Sequence, residues 1–312
     1  MRIAAVFPGQ GSQFVGMGGD IAEASPAAAD IFARARRVLG YDVLAMTQTA
    51  PEERLTETRF AQPAIFVTNI ALYAALGDRI APVVSAGHSF GEYCSLAISG
   101  AMTFEDALAL VNARGLAMQA AAQLAKGGMA AILGLEESAM REVVAQARAT
   151  SGRVQLANFN APGQIVVSGD FEAVRRAGEL ATAAGAKRVV MLNVSGAWHS
   201  ELMEPALRTF APAVAAAKIE MPSFTVVSNV DALAYRDVAQ IRTNLVRSVT
   251  GEVLWHQAML RLLEEQPDLI VEFGAQAVMA PLAKRMPGAP AVKHVGDSAG
   301  VAKLLSALGA AA

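Results

Sequence analysis

Residues 82–98 constrain the fold of this chain more than any other stretch. Gly87-His88-Ser89-Phe90-Gly91 reads G-x-S-x-G. It follows a short run rich in β-branched residues (82–86) and precedes Glu92-Tyr93-Cys94-Ser95-Leu96-Ala97-Ile98, a stretch of helical composition. A strand, a tight turn with glycine on both sides and then a helix is the context a nucleophile elbow requires. So sharp a turn brings the backbone close to itself, and glycine at 87 and 91 removes the Cβ atoms that would collide. Ser89 would then stand at the edge of a sheet beside a helix N-terminus, where developing negative charge is favoured. The alternative is a glycine-rich strand-to-helix turn with an incidental serine.

The remaining segments alternate between strand and helix. Residues 2–7 read as a buried strand, followed by the glycine loop Pro8-Gly9-Gln10-Gly11-Ser12-Gln13. Such a loop can present backbone N–H groups inward, but no Gly-Lys-Ser/Thr follows, so it is not a Walker loop. Helices are expected at 26–39 and 62–76, the second with Pro63 in its first turn, and 51–55 as a polar connection. Thr103 and Asp106 have capping-box spacing for a helix running to about residue 123. Residues 126–195 read β-α-β-β-α-β, with strands at 129–135, 154–158, 164–168 and 187–194. That order is the split pattern of a ferredoxin-like module. The expected architecture is therefore α/β, with a large domain from 1–125 and 196–312 holding a mainly parallel sheet and 126–195 inserted as a small domain. In the returning segment a helical stretch is expected at 196–217, strands at 224–229, 269–273 and 291–295, helices at 242–249 and 253–264, and a final alanine-rich helix.

Composition excludes several functions. The formal net charge is −2, so nucleic acid is not attracted globally. Cys94 is the only cysteine, which rules out an internal disulfide and leaves no metal motif. The N-terminal apolar run is broken early by Pro8-Gly9, too soon for a signal peptide, and no run reads as a membrane span. Cytoplasmic residence is the default expectation.

A serine nucleophile needs a base. Of the four histidines, His88 should point away from Ser89 at a sharp turn, His256 lies inside a helix and His294 in a terminal strand. His199 follows a glycine where the chain crosses back from the inserted module, the place from which a side chain can reach the elbow. A purely structural histidine is the alternative. No Asp or Glu stands out as its orienting partner, so a backbone carbonyl would have to serve. Arg114 falls between Val111 and Met118, on or beside the apolar face of its helix. A guanidinium cannot lose its proton and is costly to bury unpaired, so it needs a carboxylate from the protein or from a ligand.

Six separated segments together resemble the malonyl-CoA:acyl carrier protein transacylases, the acyltransferases of fatty-acid and polyketide synthesis. They are Phe7-Pro8-Gly9-Gln10-Gly11-Ser12-Gln13, Gln62-Pro63-Ala64, the elbow with Glu92, Arg114-Gly115, Asn158-Phe159-Asn160-Ala161-Pro162-Gly163-Gln164, and Val194-Ser195-Gly196-Ala197 leading into Trp198-His199-Ser200. The resemblance spans nearly the whole chain. It implies a hydrolase-like α/β domain with a ferredoxin-like insertion, Ser89 as nucleophile and His199 as base. It also implies oxyanion donors in the backbone N–H groups of Gln10 and Phe90, and a malonyl pocket holding Arg114 and Gln62, with the histidine oriented by main-chain carbonyls. The implied substrates are malonyl-CoA and a phosphopantetheinylated acyl carrier protein, with no bound cofactor or metal, no nucleic acid or membrane partner, and a monomeric enzyme. Two residues depart from the common pattern: Trp198, where Phe is usual, beside the acyl pocket, and Ser248, where many members carry Gln. The carrier should be acidic, and Lys126, Lys187-Arg188 and Lys284-Arg285 are candidates for its docking patch. Rival readings are an acyl hydrolase of the same fold, sharing Ser89 and His199, and a carrier-docking subunit without catalysis.

Overall fold

The computed structural model describes residues 1–309. Among them are nine strands: β1 (Ile3–Phe7), β2 (Pro82–Gly87), β3 (Gly127–Leu133), β4 (Val154–Ala161), β5 (Gln164–Asp170), β6 (Arg188–Met191), β7 (Thr225–Val227), β8 (Leu269–Phe273) and β9 (Val292–Val295). Five form a wholly parallel sheet in the order β7-β2-β1-β8-β9. The other four form an antiparallel sheet in the order β4-β5-β3-β6, with helices Glu137–Ser151 and Phe171–Ala183 completing the β-α-β-β-α-β unit.

Strand β1 is buried along its whole length, as a central parallel strand covered on both faces must be. Its side chains alternate. Ile3, Ala5 and Phe7 join the core formed with helices Pro26–Leu39, Thr58–Ala74 and Phe104–Leu124, while Ala4 and Val6 join the core around Trp255, Met259 and Leu262. The small sheet carries a third core, around Ile132, Phe159 and Val167, against its own two helices. It is tied to the parallel-sheet segments through the backbone: Phe159 donates to the Val253 carbonyl at 2.9 Å and Val253 to the Ala157 carbonyl at 2.8 Å.

Several element boundaries differ from the sequence-based expectation. The helix expected at 62–76 begins a turn earlier, at Thr58, so Pro63 lies inside it rather than in its first turn. The lost hydrogen bond is tolerated because this helix is buried over most of its length, and packing outweighs one missing N–H. The connection at 51–55 is a short helix, Glu52–Thr56, with two acidic residues in its first turn. Three further short helices, Gly19–Ala24, Val43–Thr49 and Met279–Ala283, were not anticipated. Strand β6 ends at Met191 instead of 194, which frees Leu192 and Val194 to line the cavity described below. The expected helical stretch 196–217 becomes ordered helix only at Glu204–Ala216, preceded by a 3-10 turn. Strand β4 runs on to Ala161, with register shifts that let it turn over the large sheet. No helix among the described residues is long and apolar enough to cross a membrane.

Candidate active site

The carboxyl ends of three adjacent parallel strands, β7, β2 and β1, deliver Asn229, Ser89 and Gln10 to one edge of the sheet. That edge is where ligands bind in open parallel sheets. Ser89 has φ 52°, the left-handed conformation of a strained elbow. The flanking glycines are obligatory. A Cβ on Gly87 would lie 1.9 Å from the carbonyl carbon of Gly91, and one on Gly91 would lie 2.5 Å from the Phe7 oxygen. Gly9 lets the loop after β1 close on the elbow, since its Cβ would sit 2.8 Å from the His88 oxygen and 3.5 Å from the Ser89 Cβ. The backbone N–H groups of Gln10 and Phe90 donate to no protein acceptor among the described residues.

His199 reaches Ser89 across 110 positions of sequence, with Nε2 at 2.8 Å from Oγ. Its Nδ1 faces the main-chain oxygen of Ser248 at 2.8 Å. A carbonyl only accepts, so Nδ1 carries the hydrogen and Nε2 is left with a lone pair that accepts a hydrogen bond from the Ser89 hydroxyl. Ser248 departs from the expected residue type, yet its backbone makes the contact and its hydroxyl turns back to the Leu245 oxygen. Two further bonds hold this segment. Gln155 on β4 donates to the His199 oxygen at 3.2 Å and accepts from the Glu201 N–H at 3.0 Å. The ring is buried, and burial pulls its pKa down to about 3, with the Arg114 charge and His88 pulling in the same direction. The imidazole is therefore neutral at neutral pH, with its Nε2 lone pair free.

Arg114 is 1% exposed, and its Nη2 donates to Ser89 Oγ at 3.3 Å. Nη1 donates to Gln62 Oε1 at 2.9 Å. Gln62 Nε2 donates to the Thr58 hydroxyl, which donates in turn to Gln10 Oε1 at 2.6 Å, so one polar chain runs from the glycine loop to the guanidinium. Among the described residues no carboxylate makes a salt bridge with Arg114, though the Glu92 charge acts on it through space, and its Nε is buried without any partner. Trp198 is buried beside it in the wall, its indole N–H also without an acceptor. These groups line a cavity of about 810 Å³ between the two sheets. Its far wall comes from Asn160 and Gln164 of the small sheet and from Met279. His88 points away from Ser89, as the turn requires, and bonds Asn160 Oδ1 at 2.9 Å through Nε2. No three His, Cys, Asp or Glu side chains among the described residues converge as a metal site.

A profile of the acyl transferase domain matches residues 5–293. The malonyl CoA-acyl carrier protein transacylase of Escherichia coli K12 is 40% identical over 287 residues, 91% of this chain and 93% of that one. The transacylase of that name from Bacillus subtilis 168 is 39% identical over 286 residues, 91% of this chain and 90% of its own. The chain belongs to the malonyl-CoA:acyl carrier protein transacylase family. Among solved transacylase structures, one described as a malonyl-transacylase in complex with its type II PKS acyl-carrier protein superposes with TM-score 0.94. It has 37% identity and covers 98% of this chain and 100% of its own. This transacylase is thus an acyltransferase with the α/β architecture expected from its sequence.

Four parts of the site escaped the sequence reading: Asn229, Glu92 as a buried partner, Thr58 and Gln155. The Asn229 amide brackets the Ser89 backbone, accepting from its N–H at 3.0 Å and donating to its oxygen at 2.9 Å. A polar residue just past a parallel strand was its only available signal.

Proposed function

We propose that this chain moves a malonyl group from malonyl-CoA to the phosphopantetheine thiol of an acyl carrier protein, through a malonyl ester on Ser89. One observation carries the reading: a fully buried arginine, unpaired with any described carboxylate, whose guanidinium lies 3.3 Å from a serine already bonded to a neutral histidine. Malonate supplies the missing carboxylate, and its thioester carbon then falls beside Ser89.

Ser89 Oγ attacks the thioester carbonyl while His199 Nε2 takes its proton. The Gln10 and Phe90 N–H groups meet the oxyanion, each contributing about 3–4 kcal/mol in a comparable site. The C–S bond breaks, coenzyme A leaves with the proton held by His199, and the malonyl ester remains. The carrier thiol then repeats the sequence in reverse, which is ping-pong chemistry. Residues 126–195 act as an inserted unit whose exit leads straight to His199, and Trp198 shapes the acyl end of the pocket. An acidic carrier would approach the exposed Lys126, Lys187, Arg188 and Lys284. Arg285 differs from these, because it donates to the Pro162 oxygen at 2.7 Å and to Gln164, and so braces the cavity wall. The solved neighbour bound to an acyl carrier protein supports this partner class.

Intact mass spectrometry after exposure to malonyl-CoA should show a malonyl adduct on Ser89, discharged faster by holo-carrier protein than by water. Absence of the adduct would favour a docking role. Discharge by water at the same rate with and without carrier would favour the hydrolase, for which a buried cation has no use.

A further inference from the structure

We infer that Asn229 and Glu92 are positioning residues: Glu92 fixes the orientation of the Asn229 amide, and Asn229 holds the Ser89 backbone in the strained elbow. The inference rests on Ser89 being the acylated residue.

Ser89 is a non-glycine residue at φ 52°, a conformation that persists only where its surroundings over-determine it. Apart from the Glu92 N–H, which reaches the Ser89 oxygen at 3.3 Å, one side chain holds the Ser89 backbone. Asn229 Oδ1 accepts from the Ser89 N–H at 3.0 Å, and Nδ2 donates to the Ser89 oxygen at 2.9 Å. An amide can rotate by 180° and exchange these atoms, which would set N–H against N–H and oxygen against oxygen. Glu92 prevents that. Its Oε2 accepts from the same Asn229 Nδ2 at 2.5 Å and from the Asn229 backbone N–H at 3.4 Å. Its Oε1 accepts from the Tyr235 hydroxyl. Because Glu92 opens the helix after the elbow and Asn229 follows β7, the clamp joins the carboxyl ends of two neighbouring strands.

Neither Asn229 nor Glu92 lines the substrate cavity, and both are 1% exposed. They therefore act on the rate at which a bound thioester meets Ser89 Oγ, and leave malonyl-CoA binding alone. A displacement of about 1 Å at a nucleophile is worth on the order of 100-fold in rate.

The test is the single-turnover rate of malonyl-Ser89 formation, read by rapid quench and intact mass in the full chain across malonyl-CoA concentrations. Asn229→Ala should lower the saturating rate about 100-fold with half-saturation within about twofold of wild type. At pH 8, above the value of about 7 to which burial raises the Glu92 pKa, Glu92→Gln keeps an acceptor but loses the charge, and should cost about tenfold. Added to Asn229→Ala, it should cost nothing more, because its effect passes through Asn229. A saturating rate for Asn229→Ala within about threefold of wild type, or losses that multiply in the double variant, overturns the inference. If Asn229→Ala does not melt cooperatively, the near-isosteric Asn229→Asp decides on the same criteria. A wild-type chain that never acylates at Ser89 refutes the proposed function instead, so the two failures are distinguishable.

Discussion

Replacing Arg114 by alanine should invert the acyl preference without abolishing the enzyme. The guanidinium is 1% exposed and its direct partners among the described residues are Gln62 and Ser89, with no carboxylate in salt-bridge contact. Glu92 acts on it only through space, so a bound malonyl carboxylate would be its one ionic partner in direct contact. Removing one member of a buried ion pair costs about 3–5 kcal/mol, because the other charge is left desolvated and alone. At about 1.4 kcal/mol per tenfold, kcat/KM for malonyl-CoA should fall about 150- to 5,000-fold. The variant also removes the 3.3 Å hydrogen bond from Nη2 to Ser89 Oγ. That loss, about 1 kcal/mol, weakens every acyl donor equally and cancels in a ratio. Acetyl-CoA leaves the wild-type guanidinium buried and unpaired, so its transfer should hold or rise once Arg114 is gone. The assay is kcat/KM for malonyl-CoA and acetyl-CoA side by side, with holo-carrier as acceptor. Arg114→Lys should fall between, since an ammonium cannot bridge Gln62 and a carboxylate as the planar fork does. An unchanged malonyl-to-acetyl ratio in Arg114→Ala refutes the argument, however large the common loss.

Three other outcomes follow from the geometry. His199 is a base whose folded pKa lies far below its ordinary 6.5, near 3. Its stabilising contribution is thus complete above pH 6.5 and is lost as pH falls from there toward 3. In the Glu92→Gln variant, which removes the buried carboxyl whose own pKa is raised to about 7, the kcat/KM profile for malonyl-CoA should accordingly show no acid limb near 6.5, and a limb there would contradict a buried neutral imidazole. Gly87→Ala forces a Cβ within 1.9 Å of backbone, so it should destabilise by more than about 4 kcal/mol in denaturant titration. Gly11→Ala, with open space but φ 105°, should cost only about 1 kcal/mol in the same titration. Ser248→Ala should leave kcat within about twofold, because the main-chain oxygen, not the hydroxyl, holds His199. A larger fall in the steady-state assay would assign the work to the hydroxyl.

Local chemistry wrote much of this molecule into its sequence. The elbow is legible because the sterics of a sharp turn act within five residues and only glycine satisfies them at 87 and 91. The β-α-β-β-α-β module is legible because strand and helix periods differ over short windows, and helical spacing alone puts Arg114 on or beside the buried face of its helix. The helix around Pro63 was misjudged for the converse reason. Its N-terminal turn is held by burial among distant neighbours, which outweighs the local preference that proline expresses.

What only the tertiary structure decided is which distant groups meet. The partner of His199 is a main-chain oxygen 49 positions away, and every residue carries such an oxygen, so no side-chain pattern can announce it. The Asn229 amide acquires its role because β7 lies beside β2 in the sheet, an adjacency set by long-range pairing and not by either segment's composition. That no carboxylate among the described residues makes a salt bridge with Arg114 could be read only after the chain had folded around it. Sterics and periodicity act over a few residues and survive in a linear text. Desolvation and hydrogen-bond satisfaction are properties of an enclosed volume, and this one is closed by two sheets.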